Sequence, residues 1–149
     1  MTREETAKLV KELDWSQPKS VQEHAIAALT KTEESNYDLL LNKDMKFTWE
    51  NAVKVIKNIG YPKNKSLIPD LIWLLLDVNW PGAWESVEML SKIDKKTVIP
   101  YLENALHEAD ADNDYMWIGG IKWVVDEGRF TVDDFGDKSA YDILKKADF

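Results

Sequence analysis

Apolar residues recur along this chain three and four positions apart, and polar punctuation cuts that pattern into short helices. Thr2, with Glu5 three residues later, makes a capping box ahead of Leu9, Val10 and Leu13. Ser16 and Pro18 open a second helix whose apolar face is Val21, Ala25, Ala28 and Leu29. A third runs from a Thr48 cap through Trp49, Ala52, Val53, Ile56 and Ile59 to a stop at Gly60. The stretch from Ser66 to Asp77 is apolar nearly all round, which predicts a central helix enclosed by others. Further helices are predicted over Pro81–Ile93, Thr97–Ala109, Asn113–Glu127 (ending at Gly128) and Lys138–Ala147, the last capped by Asp137.

The pattern repeats. Ile26 and Leu29, Ile56 and Ile59, Leu90 and Ile93, and Ile121 and Val124 form equivalent pairs spaced by 30, 34 and 31 residues. "LIPDL" at 67–71 and "VIPYL" at 98–102 form a second column, each with a proline suited to a helix's first turn, where its missing N–H costs nothing. A two-helix unit of about 31 residues predicts an all-α fold, a short α-solenoid of stacked antiparallel helical hairpins of the HEAT-like class. One domain over residues 1–149 is expected, with 128–149 a less regular C-terminal extension.

Between two of these helices lies "LDVNWPGAWESVEML" (76–90), with tryptophans flanking a Pro-Gly step. Asp77, Val78 and Asn79 supply a short connection, Pro81 presets a first helical turn, and Gly82 with Ala83 permits close backbone approach. This reads as a hinge, with Trp80 packing forward on the following helix as a hydrophobic staple and Trp84 pointing into the stack. Gly119 and Gly120 fall inside a helical pattern at a cost of about 1 kcal/mol each, which predicts a close helix crossing at Gly120.

Composition narrows the chemistry. The chain has no cysteine, so disulfides, thiolate metal sites and cysteine nucleophiles are excluded. Its charged opening "MTREETAKLV" lacks the apolar stretch of a signal peptide, and Leu71–Leu76 is far too short to span a bilayer, so a soluble cytoplasmic protein with no membrane partner is expected. Phosphate-cradling glycine loops and a G-x-S-x-G elbow are absent. His107-Glu108 begins an H-E-x-x-H zinc pattern, but Ala111 stands where the second histidine belongs. Asp110, Asp112 and Asp114 match the first ligands of a calcium loop, yet Tyr115 replaces its glycine and Ile121 its bidentate glutamate. A solvated acidic loop is therefore expected, with no cofactor and no metal.

The net charge of −8 is concentrated at one end, since residues 101–149 hold 12 acids against 5 bases. Such a chain repels nucleic-acid backbones and attracts a basic protein surface. Most of the seven tryptophans fall on apolar faces or at helix starts. Trp117 and Trp123, six apart, face different sides of one helix, so one of them can stand at the surface beside Asp110, Asp112 and Asp114. These five residues form the candidate partner-binding set.

"LDWSQPKSVQEHAI" (13–26), "WENAVKVIKNIGY" (49–61) and "LIWLLLDVNWPGAWESVEML" (71–90) resemble an uncharacterised bacterial family of small helical proteins with an NWPGA hinge motif. The resemblance covers Leu13 to about Glu127, implies the helical fold and carries no catalytic residues. Related small acidic helical-repeat proteins are often immunity proteins that neutralise a toxin, which makes a non-catalytic binding module the expected function. Its competitors are a metal-dependent enzyme using His107, Asp110, Asp112 and Asp114, and a structural subunit of a larger assembly.

Overall fold

The structure, a computed structural model, describes residues 1–148. Among them the chain is all-α, with no strand, and it divides into two compact units, Met1–Leu67 and a second beginning at Ile68.

The first unit holds α1 (Arg3–Lys11), α2 (Lys19–Thr30) and α3 (Trp49–Ile59). The Thr2 capping box forms as the spacing predicts: Glu5 N–H donates to Thr2 Oγ1 at 3.0 Å and Thr2 N–H to Glu5 Oε2 at 2.9 Å. Pro18 occupies the N-cap of α2, and Gly60, at φ 83°, ends α3. Thr48 stands at the N-cap of α3 but does not cap it; its hydroxyl donates to the Met45 carbonyl at 2.7 Å and closes the 3-10 turn Lys46–Thr48 instead. α2 packs on α3, and α1 on α2 and on a 3-10 turn, Glu34–Leu39. Leu13, Ala25, Leu29, Leu40, Ala52 and Ile56 are fully enclosed between them.

Residues 31–48 contain no α-helix, so their backbone groups need other partners. Thr48 Oγ1 donates to the Met45 carbonyl and Trp49 Nε1 to the Asn42 carbonyl, each at 2.7 Å, while buried asparagines serve carbonyls elsewhere in the unit. Asn51 Nδ2 donates to the Leu13 carbonyl at 2.7 Å and to Gln22 Oε1 at 2.9 Å; Asn64 Nδ2 donates to the Ile56 carbonyl at 2.8 Å; Asn36 Nδ2 donates to the Met1 carbonyl and to Thr32 Oγ1.

The second unit holds α4 (Ile68–Trp73), continued by a 3-10 turn Leu74–Leu76, then α5 (Ala83–Ser91), α6 (Lys95–Ala111), α7 (Tyr115–Glu127) and α8 (Lys138–Ile143), the last continued by a 3-10 turn Leu144–Lys146. The apolar run 67–76 is the centre of packing expected of it, with Leu71, Leu74 and Leu75 enclosed. At Gly120 a Cβ would lie 2.3 Å from the Leu75 carbonyl oxygen, so α7 crosses that run where the glycine predicts. The segment after Gly128 also packs inward, burying Phe130, Phe135, Ala140, Ile143 and Leu144.

The starts of α5, α6 and α7 differ from expectation, the last at Tyr115 and not Asn113. Helix α5 begins at Ala83, not Pro81, because Gly82 adopts φ 85° and ψ −10° and Ala83 N–H donates to the Trp80 carbonyl at 3.1 Å. Those are the values of the third residue of a type II turn, with Pro81 in the preceding position that favours proline. A second turn precedes it, in which Trp80 N–H reaches the Asp77 carbonyl at 2.9 Å and Asn79 N–H the Asp77 carboxylate at 2.8 Å. The hinge is thus two consecutive β-turns. Helix α6 begins at Lys95, where Asp94 caps it through Thr97 N–H at 3.1 Å, so Pro100 lies inside the helix and not in its first turn. Pro100 is exposed, so the carbonyl deprived of a partner faces water.

Candidate partner-binding surface

The acidic run 110–114 is a tight connection between α6 and α7. Asn113, at φ 52°, takes the left-handed position after the Asp112 C-cap; Asn113 N–H donates to the Asp110 carbonyl at 3.1 Å and Asp114 N–H to the Ala109 carbonyl at 2.8 Å. This is a Schellman motif, which satisfies the last carbonyls of α6. The Asp114 carboxylate then caps α7 by accepting Trp117 N–H at 3.0 Å. Asp110 bonds Lys146 Nζ at 2.6 Å, a contact that raises the lysine's pKa through the hydrogen bond first and the charge second. Of the three aspartates, Asp112 alone is fully exposed with an unpaired carboxylate. The calcium-like alternation is therefore helix-end chemistry: one pair, one free charge and one cap.

His107, the other residue of that segment, turns elsewhere. Its Nε2 lies 2.7 Å from Asp137 Oδ2, and Asp137 caps α8 through Ser139 and Ala140 N–H. The Ser139 hydroxyl first, and then the His107 ring, hold the Asp137 carboxyl at about 2. Among the described residues no three His, Asp or Glu side chains gather as a metal site.

Trp117 does not reach the surface. It is 7% exposed, and its indole N–H donates to the Ile72 carbonyl at 3.0 Å. Ile72 belongs to the last turn of α4, where carbonyls lack a partner within the helix, so the tryptophan acts as a C-terminal cap delivered from another helix. Trp117 shares the buried face of α7 with Ile118, Ile121, Val124 and Val125, which removes it from the partner-binding set. Trp123, on the other side as its spacing requires, is 36% exposed.

The neighbour of Trp123 is Trp84, whose indole lies edge-on at 4.8 Å between centroids and 84° between planes. Trp84 is 41% exposed, and the expectation that it points into the stack is overturned. The signal was present in the spacing: Ala83, Val87 and Leu90 define the buried stripe of α5, and residue 84 falls off it. Trp80 packs back on Trp73 of α4, with centroids 5.2 Å apart. Asp114 and Trp123 are nine residues apart in sequence, about 13 Å along the axis of α7.

Charge surrounds the tryptophan pair more broadly. From Ile68 onward the sequence carries 17 acids against 8 bases, a net charge of −9, while residues 1–67 carry 10 against 11. No helix of the described residues is long and apolar enough to cross a membrane. No protein-family model, curated protein or solved structure matches the chain.

Proposed function

We propose that this chain is a non-catalytic protein-binding module whose partner is a basic protein, and that in its cell it acts in the cytoplasm as an immunity protein neutralising a basic toxin. The observation that carries the reading is the union, in one unit, of a net charge of −9 and an exposed pair of tryptophans. Charge of one sign steers an oppositely charged partner and selects against others, while aromatic anchors supply most of the binding energy at a protein interface. The toxin-neutralising form follows the resemblance of residues 13–26, 49–61 and 71–90 to the bacterial NWPGA family, and a HEAT-like stacking of helical hairpins belongs to the same reading.

Purification from the native host, followed by reassociation of the purified partners, tests it. A basic protein should co-purify, and its association rate should fall at least tenfold between about 50 mM and about 500 mM salt as screening shortens the reach of the charges. Co-expression should also relieve any growth defect that the partner causes. Repeated recovery of the chain alone, or a partner whose association ignores salt, would defeat the proposal.

A further inference from the structure

Resting on that reading, we infer that the corner between Trp84 and Trp123 is the anchor site, and that it takes an arginine side chain of the basic partner. The two indoles stand edge to face at 84° and both are part-exposed, so a planar guanidinium can stack on exposed indole surface of one ring while the other flanks it. Among the described residues Trp84 makes no hydrogen bond through its indole N–H, and its ring partner is Trp123. Each helix adds a carboxylate one turn beyond its tryptophan: Glu88 on α5 and Glu127 on α7, both exposed and neither in an ion pair. Residues four apart share a helix face, so aromatic surface and negative charge are offered side by side. The nearest basic residue in sequence, Lys122, is already neutralised by Asp126 at 3.1 Å.

Charge selects this occupant over a second copy of the chain, which would bring two units of net charge −9 together. A contrast lies in the first unit, where Trp15 and Phe47 also form an exposed pair, with centroids 6.1 Å apart and planes at 43°. There the adjacent residue is the exposed cation Lys46, and residues 1–67 carry a net charge of +1. The net charge of that unit offers a guanidinium no long-range attraction of the kind the second unit does.

The test is an NMR titration of the seven tryptophan indole N–H signals with a blocked octapeptide alternating arginine with glycine. Saturable shifts are expected at Trp84 and Trp123. Trp84→Ala should weaken binding about tenfold without lowering the melting temperature, whereas Trp15→Ala should leave affinity unchanged. Replacing Glu88 and Glu127 together by glutamine should weaken binding severalfold and flatten its salt dependence, and the lysine counterpart of the peptide should bind more weakly than the arginine peptide. Should Trp84→Ala bind as tightly as the wild type in a salt-sensitive manner, the corner is not the anchor, although the acidic unit still attracts basic partners. Absence of any binding to the arginine peptide at low salt would overturn the basic-partner reading together with the corner. A doubling of mass in light scattering that Trp84→Ala abolishes would make the corner a self-contact and overturn the inference.

Discussion

In Met1–Leu67 the side chains of Thr6, Thr32, Asn36, Thr48, Asn51 and Asn64 are buried, whereas from Ile68 onward Ser86 is the one buried polar side chain among the described residues. The difference follows the connections. The first unit joins α2 to α3 through residues 31–48, and long irregular backbone inside a packed unit has carbonyls and N–H groups that no helix satisfies. Within 31–48 the Thr48 hydroxyl and the Trp49 indole cover the Met45 and Asn42 carbonyls, and asparagine side chains cover the Met1, Leu13 and Ile56 carbonyls elsewhere in the unit. The second unit joins α6 to α7 through three residues, closes them with a Schellman turn and an aspartate cap, and buries an almost wholly apolar interior. Charge divides in the same way, near zero in the first unit and −9 in the second. The polar interior and the net negative charge thus belong to different halves of the chain.

The largest effect expected from testing this contrast is at Trp117. Trp117→Ala should cost about 3–5 kcal/mol in denaturant unfolding, since it empties a large buried volume and leaves the Ile72 carbonyl unpaired. Trp84→Ala should change stability by no more than about 0.5 kcal/mol. Equal losses at the two positions would erase the distinction between core and surface tryptophans in the second unit. In the first unit, Asn51→Ala should cost about 2 kcal/mol, because the Leu13 carbonyl is left buried and unpaired. A neutral result there would show that hydrogen-bonded asparagine does not hold the irregular segments.

A smaller effect of opposite sign is expected at Arg129. It sits at φ 54° in the left-handed position after α7, with its N–H on the Asp126 carbonyl at 3.1 Å and Phe130 N–H on the Val125 carbonyl at 2.9 Å. The glycine suited to that position stands one residue earlier, at Gly128, where a Cβ would meet the Phe130 ring at 2.6 Å. Arg129→Gly should therefore raise stability by about 1 kcal/mol. Asn113→Gly, at the matching position after α6, should gain less, because asparagine tolerates that conformation.

The smallest effect is a pH dependence. The Ser139 hydroxyl and His107 hold Asp137 at about 2, below the ordinary aspartate value of about 3.9. A folded-state pKa below the unfolded one means stability is present above about pH 4 and is lost as the pH falls toward 2. Carboxyl NMR should place the Asp137 midpoint near 2, and amide exchange of α8 should quicken over that interval; a midpoint near 4 would remove Asp137 as an anchor of α8. In the first unit Asp38 is lowered chiefly by its hydrogen bond with Arg3, so its midpoint should also fall below the ordinary value.

Helices were legible wherever a local signal sufficed, as at the Thr2–Glu5 box, the Gly60 stop, the Asp137 cap and the apolar run 67–76. The Gly120 crossing was legible too, because glycine within a helix needs a reason. The 3-10 turn Glu34–Leu39 was not, since it lacks an apolar period and is held by Asn36 bonding to distant groups. Among the candidate partner residues, the spacing of Trp117 and Trp123 placed them on opposite faces but could not say which face met α4. The carboxylate of Asp110 looked free in sequence because its partner, Lys146, is chosen by the fold, whereas the Asp114 cap is a local signal that the acidic alternation masked.

The sequence by itself determined an all-helical chain, several of its helix caps and stops and the concentration of negative charge toward its C-terminal end, because capping, periodicity and ionisation are properties of residues and their near neighbours. Tertiary structure alone decided that Trp117 and not Trp123 is the buried tryptophan of α7, that Asp110 pairs with Lys146, and that Trp84 of α5 meets Trp123 of α7. Each of those depends on which helix packs against which. An indole can fill a core or line a surface at similar local cost, so its position is set by the shape of the residues that surround it, and those are brought together only by folding.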